Sequence, residues 1–443
     1  MAPAAPATVT PPTDGWVLGA AAARPTIAGM RVVLDARPLQ EPGRAPLTAA
    51  YLEGLLGAYD ADPLAGESFA YLLRSDLDDP TVALDRLDVI GRRLLPPTRL
   101  LRSGALTIDP FLLRGASLGA AWRAERRGAA GAVYHMAGSG PLPIASGLPV
   151  VVTLLDLAPW ELPEAFRRTA STRFGQRLRT QLLREARAVI VATPSVAAAA
   201  SRLVRLRADR VHVVGLAPQL AFAAMGQRDT SAIAEAIDGA ARERRRLGVP
   251  DRYLVYGGRY DVRHDLPTLL RAVAALAADG RPAGLPDAIA WPPRVLVVGA
   301  SPDDRASIAG AAARLEVGES LTYAAQLPAT VVAGLVRGAR AVVLPVLTDA
   351  TGLGAIDAFA CGTPIIASSV GALTDLVGSA GVLVEPRDVD RLAVALRAVW
   401  TEDRVHAGIA AGARERAVMA RRSWSDVARA TREVYAAVGV RGD

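Results

Sequence analysis

Lysine and asparagine are absent from this 443-residue chain, so its 51 basic residues are all arginine. That bias, with abundant Ala and Gly, reads as genome-wide compositional drift. A single cysteine, Cys361, excludes any internal disulfide and fits a reducing compartment. No apolar run reaches the roughly 18 residues that a membrane helix needs. The longest, around 144–160, is broken by Pro149 and Asp156 and reads as a buried strand. Aromatic residues make up only 5%, and neither zinc-finger spacing nor an aromatic-rich basic strand occurs, which argues against nucleic acid as a partner. The four histidines (135, 212, 264, 406) have no metal-ligand spacing, so no metal is expected. Without a Walker loop or a Gly-x-Gly-x-x-Gly after a strand, ATP and NAD chemistry lack a signal.

What is present is an alternation. Short apolar strands are expected at 31–36, 69–74, 132–137, 150–157, 188–193 and 211–216, and again at 252–258, 294–300, 321–326, 341–346, 364–369 and 381–386, with helical stretches between. Strands without strict polar alternation, separated by helices, predict an α/β fold with parallel sheets covered on both faces. The length calls for two domains. The boundaries expected are a leader at 1–29, a first domain at 30–220, an arginine-rich linker region at 221–250, a second domain at 251–420 and a last helix at 421–443. A ligand cleft then lies between the domains, at the carboxyl ends of the strands.

The most telling segment is AVVLPVLTDATGLGAIDAFACGTP, residues 341–364. A buried strand runs into a Thr351-Gly352-Leu353-Gly354 turn and a helix leaves it, flanked by Asp349 and Asp357. Backbone N–H groups at such a helix start suit an anion such as a diphosphate. Arg259, after Gly257-Gly258 at a strand end, has a guanidinium able to grip two phosphate oxygens. The formal charge is +7, and the densest basic cluster, around 164–188, has helical apolar spacing at Phe174, Leu178 and Leu182. It reads as a solvated helix face, with peripheral docking to anionic lipid as the minority reading. The run Asp76-Leu77-Asp78-Asp79 reads as a solvated turn.

The 341–364 block resembles the signature of retaining nucleotide-sugar glycosyltransferases of family four, Glu-Gly-Phe-Gly-Leu-Pro-x-x-Glu-Ala followed by Cys-Gly-Thr-Pro. Gly352, Leu353, Ala358 and Cys361-Gly362-Thr363-Pro364 match, while Asp349 and Asp357 stand for the two glutamates. RVVLDARPL, VYHMAGSGPLP, GLPVVVTLLDLAPWELPEAF and RYLVYGGRYDVRHDL extend the likeness over nearly the whole chain after residue 29. The resemblance implies a GT-B fold of two Rossmann-like domains, with the last helix crossing back to the first domain. It implies transfer of a hexose from a nucleotide-diphosphate sugar, with retention, to a glycan, lipid-linked or small-molecule acceptor. The protein would be cytoplasmic, or peripheral at the inner face of the membrane. Asp349 would meet the donor sugar and Asp357 the ribose, while Gly258, Arg259, His264, Thr351, Gly352 and Leu353 would line the donor site. Asp156 is the second catalytic candidate, because Leu155-Asp156-Leu157 stands where the family has a histidine before Asp-Leu. His264 replaces the family lysine and Asp265 the usual Asn. These departures keep open an alternative reading as a donor-binding but catalytically weak partner subunit.

Overall fold

The computed structural model describes residues 30–97, 109–115, 131–225, 230–324, 326–419 and 422–439. The expected leader at 1–29 lies outside them. Among the described residues thirteen strands form two sheets in which every strand pairing is parallel. The first sheet holds β1 (Met30–Asp35), β2 (Ser68–Arg74), β3 (Val89–Leu95), β4 (Gly131–Ala137), β5 (Val150–Thr153), β6 (Ala188–Val191) and β7 (Val211–Val213), in the order β3-β2-β1-β4-β5-β6-β7. The second holds β8 (Leu254–Gly257), β9 (Val295–Val298), β10 (Leu321–Tyr323), β11 (Ala341–Leu344), β12 (Ile365–Ser368) and β13 (Gly381–Val384), in the order β10-β9-β8-β11-β12-β13.

Each sheet is buried on both faces, which is why its strands read as continuous apolar runs. In β1, Val32 and Leu34 enter one core and Val33 another; in β9, Leu296 and Val298 face one side and Val295 and Val297 the other. Strand order reverses between β1 and β4 and between β8 and β11, and the crevices at those points face each other. This is the GT-B arrangement that the motifs implied.

Two expectations change. The edge strand β3 was not foreseen: its sequence, VIGRRLL, is mostly exposed and carries Gly91-Arg92-Arg93 at its centre. The segment expected as a linker instead contains helices Leu220–Met225 and Thr230–Arg246. The second of these packs on helix Ala329–Gly338 of the second domain so closely that a Cβ at Gly334 would stand 2.4 Å from the Ala236 carbonyl oxygen. The connection between domains is therefore short, around Val214–Gln219. The last helix, Trp424–Val438, packs on helix Pro46–Ala61 of the first domain. Trp424 lies over Gly54, where any side chain would overlap its indole, and its Nε1 donates to the Pro218 carbonyl at 2.8 Å. A buried Arg432–Glu67 pair at 2.6 Å fastens the same helix further along. Among the described residues no helix is long and apolar enough to cross a membrane.

Candidate functional site

At the carboxyl end of β11 the chain turns through 345–352 into helix Leu353–Ala360. Asp349 is bound into its own turn: Oδ1 accepts from the N–H groups of Thr351 (2.8 Å) and Gly352 (2.7 Å) and from the Thr351 hydroxyl (3.2 Å). Thr351 Oγ1 in turn accepts from Leu353 N–H at 3.3 Å. Three N–H groups of the turn and helix start, where an anion was expected, are thus engaged within the motif. Gly352 has φ +63°, and a Cβ there would meet Leu376 at 2.1 Å. Gly371 is needed for a different reason, since its Cβ would fall 1.9 Å from the Asp349 carbonyl oxygen.

Asp357 is placed differently from the expectation. It is 5% exposed, and its oxygens accept from the Gln219 backbone N–H (2.8 Å) and side-chain amide (2.5 Å) in the inter-domain connection. Burial pushes its carboxyl up to about 7, against the pull of the two Gln219 bonds. In this conformation the residue read as the ribose ligand is a hinge contact.

The loop after β8 is fastened to the same turn. Asp265 N–H donates to the Pro345 carbonyl (2.6 Å), Leu347 N–H donates to that of Arg263 (2.7 Å), and His264 bridges Val346. The His264 ring covers Gly258, leaving no room there for a Cβ, and its Nδ1 lies 2.8 Å from Asp261 Oδ1. Burial pushes the Asp261 carboxyl upward, but His264 and the Arg263 backbone and charge outweigh it and hold it at about 2. Asp265, in the place of the usual Asn, accepts from Arg387 N–H at 3.1 Å.

Among the described residues, polar contacts cross between the domains at several points. Arg259 Nη2 donates to the Gly43 carbonyl. Arg263 pairs with Asp156 at 2.7 Å while stacking on Phe166, and Asp156 Oδ1 accepts from Ala158 N–H at 2.8 Å. Thr348 donates to Glu161. Asp375 accepts from the Ser195 N–H and hydroxyl at 2.9 and 2.7 Å. Asp156, Glu161 and Asp349 thereby share one neighbourhood: burial raises the Glu161 carboxyl, and the charges of Asp156 and Asp349 add to that against the Thr348 bond.

Of the residues read from sequence, Gly258, His264, Asp349, Thr351, Gly352 and Leu353 meet in two joined loops, with Asp156 tied to them through Arg263. Sequence reasoning missed Glu161, Arg263 and Gln219. The first two lie inside the matched stretches, but nothing in a one-dimensional pattern shows that they span the cleft. Leu155, at 3% exposure, is part of the first-domain core. His135 is structural: its nitrogens bond Thr153 Oγ1 (2.9 Å) and Tyr435 OH (2.6 Å), fastening the last helix to β4 and β5. Asp76 pairs with Arg74 and Asp79 caps a short turn. Among the described residues no cluster has the make-up of a metal site.

Two facing parallel-sheet domains with a helix crossing back define the GT-B class. Sucrose-phosphate synthase from Thermosynechococcus elongatus superposes over 92% of this chain and 98% of its own, with TM-score 0.64 and 20% identity. Anabaena HepE, solved in complex with UDP, superposes over 92% and 100%, with TM-score 0.62 and 17% identity. These likenesses establish the fold. Residues 251–402, within the second domain, match the family Glycosyl transferases group 1. Curated relatives include the D-inositol 3-phosphate glycosyltransferases of Stackebrandtia nassauensis (32% identical, 62% of this chain, 58% of that protein) and Geodermatophilus obscurus (33%, 53% and 52%). The alignments span little more than half the length of these relatives.

Proposed function

We propose that this protein is a glycosyltransferase that moves a hexose from a nucleotide-diphosphate sugar to the hydroxyl of a glycan, lipid-linked or small-molecule acceptor. The observation that carries the reading is the Asp349–Gly352 turn at the carboxyl end of β11, set opposite Asp156 and Glu161 of the other domain. The group 1 match falls on the domain that holds this turn, and the HepE neighbour was solved with UDP and with UDP-glucose. In the reaction the acceptor oxygen bonds to the anomeric carbon while that carbon's bond to the diphosphate breaks, and the diphosphate leaves with the electron pair. Retention follows if attack comes from the leaving-group face, with the departing phosphate taking the acceptor's proton. That route needs no protein base, which accommodates Leu155. Arg259 is free to turn from the Gly43 carbonyl to the diphosphate, a charge-assisted contact stronger than its neutral one, and no metal is required of this scheme.

The test is a thermal-shift panel of nucleoside diphosphates and nucleotide sugars, followed by donor hydrolysis and transfer assays. A ligand bound only by the native state raises the melting temperature by mass action. One nucleoside diphosphate should do so, and its sugar conjugate should be turned over. Binding without turnover would favour the partner-subunit alternative, and no shift with any nucleotide would overturn both.

A further inference from the structure

A cavity of about 650 Å³ lies where the chain crosses from the first domain to the second and where it crosses back. Leu216 and Pro218 line it from the first crossing, and Ile356 and Ala360 from the helix that follows the Asp349 turn. Arg416 enters from helix Asp403–Met419, and Arg422 from just before the last helix. This cavity is separate from the candidate donor site. Gly258, Arg259, His264, Asp349 and Asp357 do not line it, and Thr351, which does, has its hydroxyl engaged by Asp349 and Leu353 N–H. A void of this size is in the range of small-molecule sites.

The lining joins an apolar wall, with Leu216, Ile356, Phe359 and Leu376 in it, to a one-sided set of charges: Arg416, Arg422 and Arg429 against Asp426 alone. That carboxylate is already engaged by Arg429 at 2.6 Å and by the Ser423 N–H and hydroxyl at 3.0 and 2.7 Å. Arg422 is half-buried along Gly215, whose Cβ would meet its Nη1 at 3.5 Å. Its Nε is buried with no hydrogen-bond partner, and burial lowers its pKa with the charge of Asp426 opposing. Arg416, also half-buried, lies over Gly378, where a Cβ would overlap its guanidinium. Among the described residues neither side chain makes a hydrogen bond or an ion pair. Buried donors in native proteins are almost always paired, so two unpaired guanidiniums beside an apolar wall call for an anion with an apolar body.

We propose that this cavity binds a small amphipathic anion, its charged group held by Arg416 and Arg422, and that the occupant holds the two domains in the arrangement seen here. The walls belong to both domains and both crossings, so rotation of one domain on the other reshapes the cavity. A ligand that fits this shape favours this arrangement. In it the Gln219 N–H, next in the chain to the lining residue Pro218, donates to Asp357 at 2.8 Å, and Arg259 is engaged by the Gly43 carbonyl. The occupant thereby opposes the turn of Arg259 to a diphosphate, and the nucleotide weakens the occupant by the same factor. This opposition to the nucleotide rests on the glycosyltransferase reading; the site and its hold on the hinge do not.

The test uses the full chain, with 2-naphthoate as the probe and 2-naphthamide as its neutral counterpart. In calorimetric titrations the naphthoate should bind about tenfold or more tighter than the amide, and R416Q/R422Q should remove that advantage while leaving the amide's affinity unchanged. Should the double variant fail to fold, R422Q alone carries the test, with naphthoate weakened by about fivefold or more. A360L narrows the cavity without touching a charge and should weaken both probes. Hydrogen exchange within residues 214–219 should slow when naphthoate is added to the wild type and stay unchanged in the double variant, because the Gln219 N–H bond belongs to this arrangement. No naphthoate binding, equal binding of the two probes, or naphthoate affinity unchanged by the arginine substitutions would each overturn the site. Binding without slowed exchange would overturn its hold on the hinge. Saturating naphthoate should also lower nucleoside diphosphate affinity by about fivefold or more, and an affinity unchanged or raised would overturn that coupling. A protein that binds no nucleoside diphosphate, yet shows arginine-dependent naphthoate binding and slowed exchange, would remove the glycosyltransferase reading and leave this site standing.

Discussion

A carboxylate can serve a ligand, its own backbone, or both, and Asp349 and Asp357 divide along that line. Asp349 uses one oxygen, Oδ1, to hold its turn. Removing the side chain would therefore disturb the loop as well as any contact with sugar, so Asp349→Ala mixes two effects. Asp349→Asn separates them, because an amide oxygen can still accept from Thr351 and Gly352 N–H while the charge is lost. Turnover should fall by about a hundredfold or more, as expected when a charged positioning contact to the reacting sugar is removed, with the melting temperature nearly unchanged. Equal loss in both would assign Asp349 to the fold alone. Arg259→Ala should weaken nucleoside diphosphate binding by about 1.5–3 kcal/mol, the range of a hydrogen bond to a charged group. Isothermal titration with the free nucleoside is the control, since that ligand should be nearly indifferent to the change.

The glycine at 371 makes the same point for an element. Helix Ala372–Leu376 begins against the Asp349 carbonyl, and Ala372 N–H donates to it at 2.8 Å. Gly371→Ala places a methyl in that backbone at φ +48°, so denaturant unfolding should show a loss of about 1–3 kcal/mol. If the β11 turn is the donor site, activity should fall further than stability does. Most elements were legible in the sequence because parallel strands buried on both faces leave long apolar runs, and the motif around Gly352 names its own strand, turn and helix. What stayed hidden obeys other rules. β3 is an edge strand whose arginines are allowed because one side has no neighbour. Helix Thr230–Arg246 hides its apolar stripe among arginines and reads as a linker until helix Ala329–Gly338 is set beside it. Asp357 was legible as a motif residue, but its partner Gln219 lies 138 positions away and no local pattern connects them. Arg179, buried on helix Ala170–Glu185, was hidden by its neighbours, since a basic run looks solvated whichever member points inward.

At the scale of the whole molecule, two buried groups with shifted pKa values give stability opposite pH dependences. His135, deep between the last helix and β4, has its pKa lowered by burial to about 3. It is neutral in the fold, while the unfolded chain binds a proton below about 6.5. The unfolded state then holds more protons, so stability falls as pH drops from 6.5 toward 3. Asp357 is raised from 3.8 to about 7, so between those values the folded state holds more protons and stability falls as pH rises. Each slope has a limit of about 1.36 kcal/mol per pH unit, and over pH 4–6.5 the two oppose each other. The wild type should thus show a weaker pH dependence in this window than either variant alone. Asp357→Asn removes the rising-pH loss and exposes the histidine, so its stability should climb more steeply from pH 4 to 6.5. His135→Gln should be less stable throughout, having lost bonds to Thr153 and Tyr435, and its stability should fall as pH rises over the same range. Urea titrations of the three proteins at pH 4.5, 5.5 and 6.5 measure these slopes directly. Parallel slopes in all three would mean that neither group is held as the fold places it, and the hinge contact between Asp357 and Gln219 would lose its support with them.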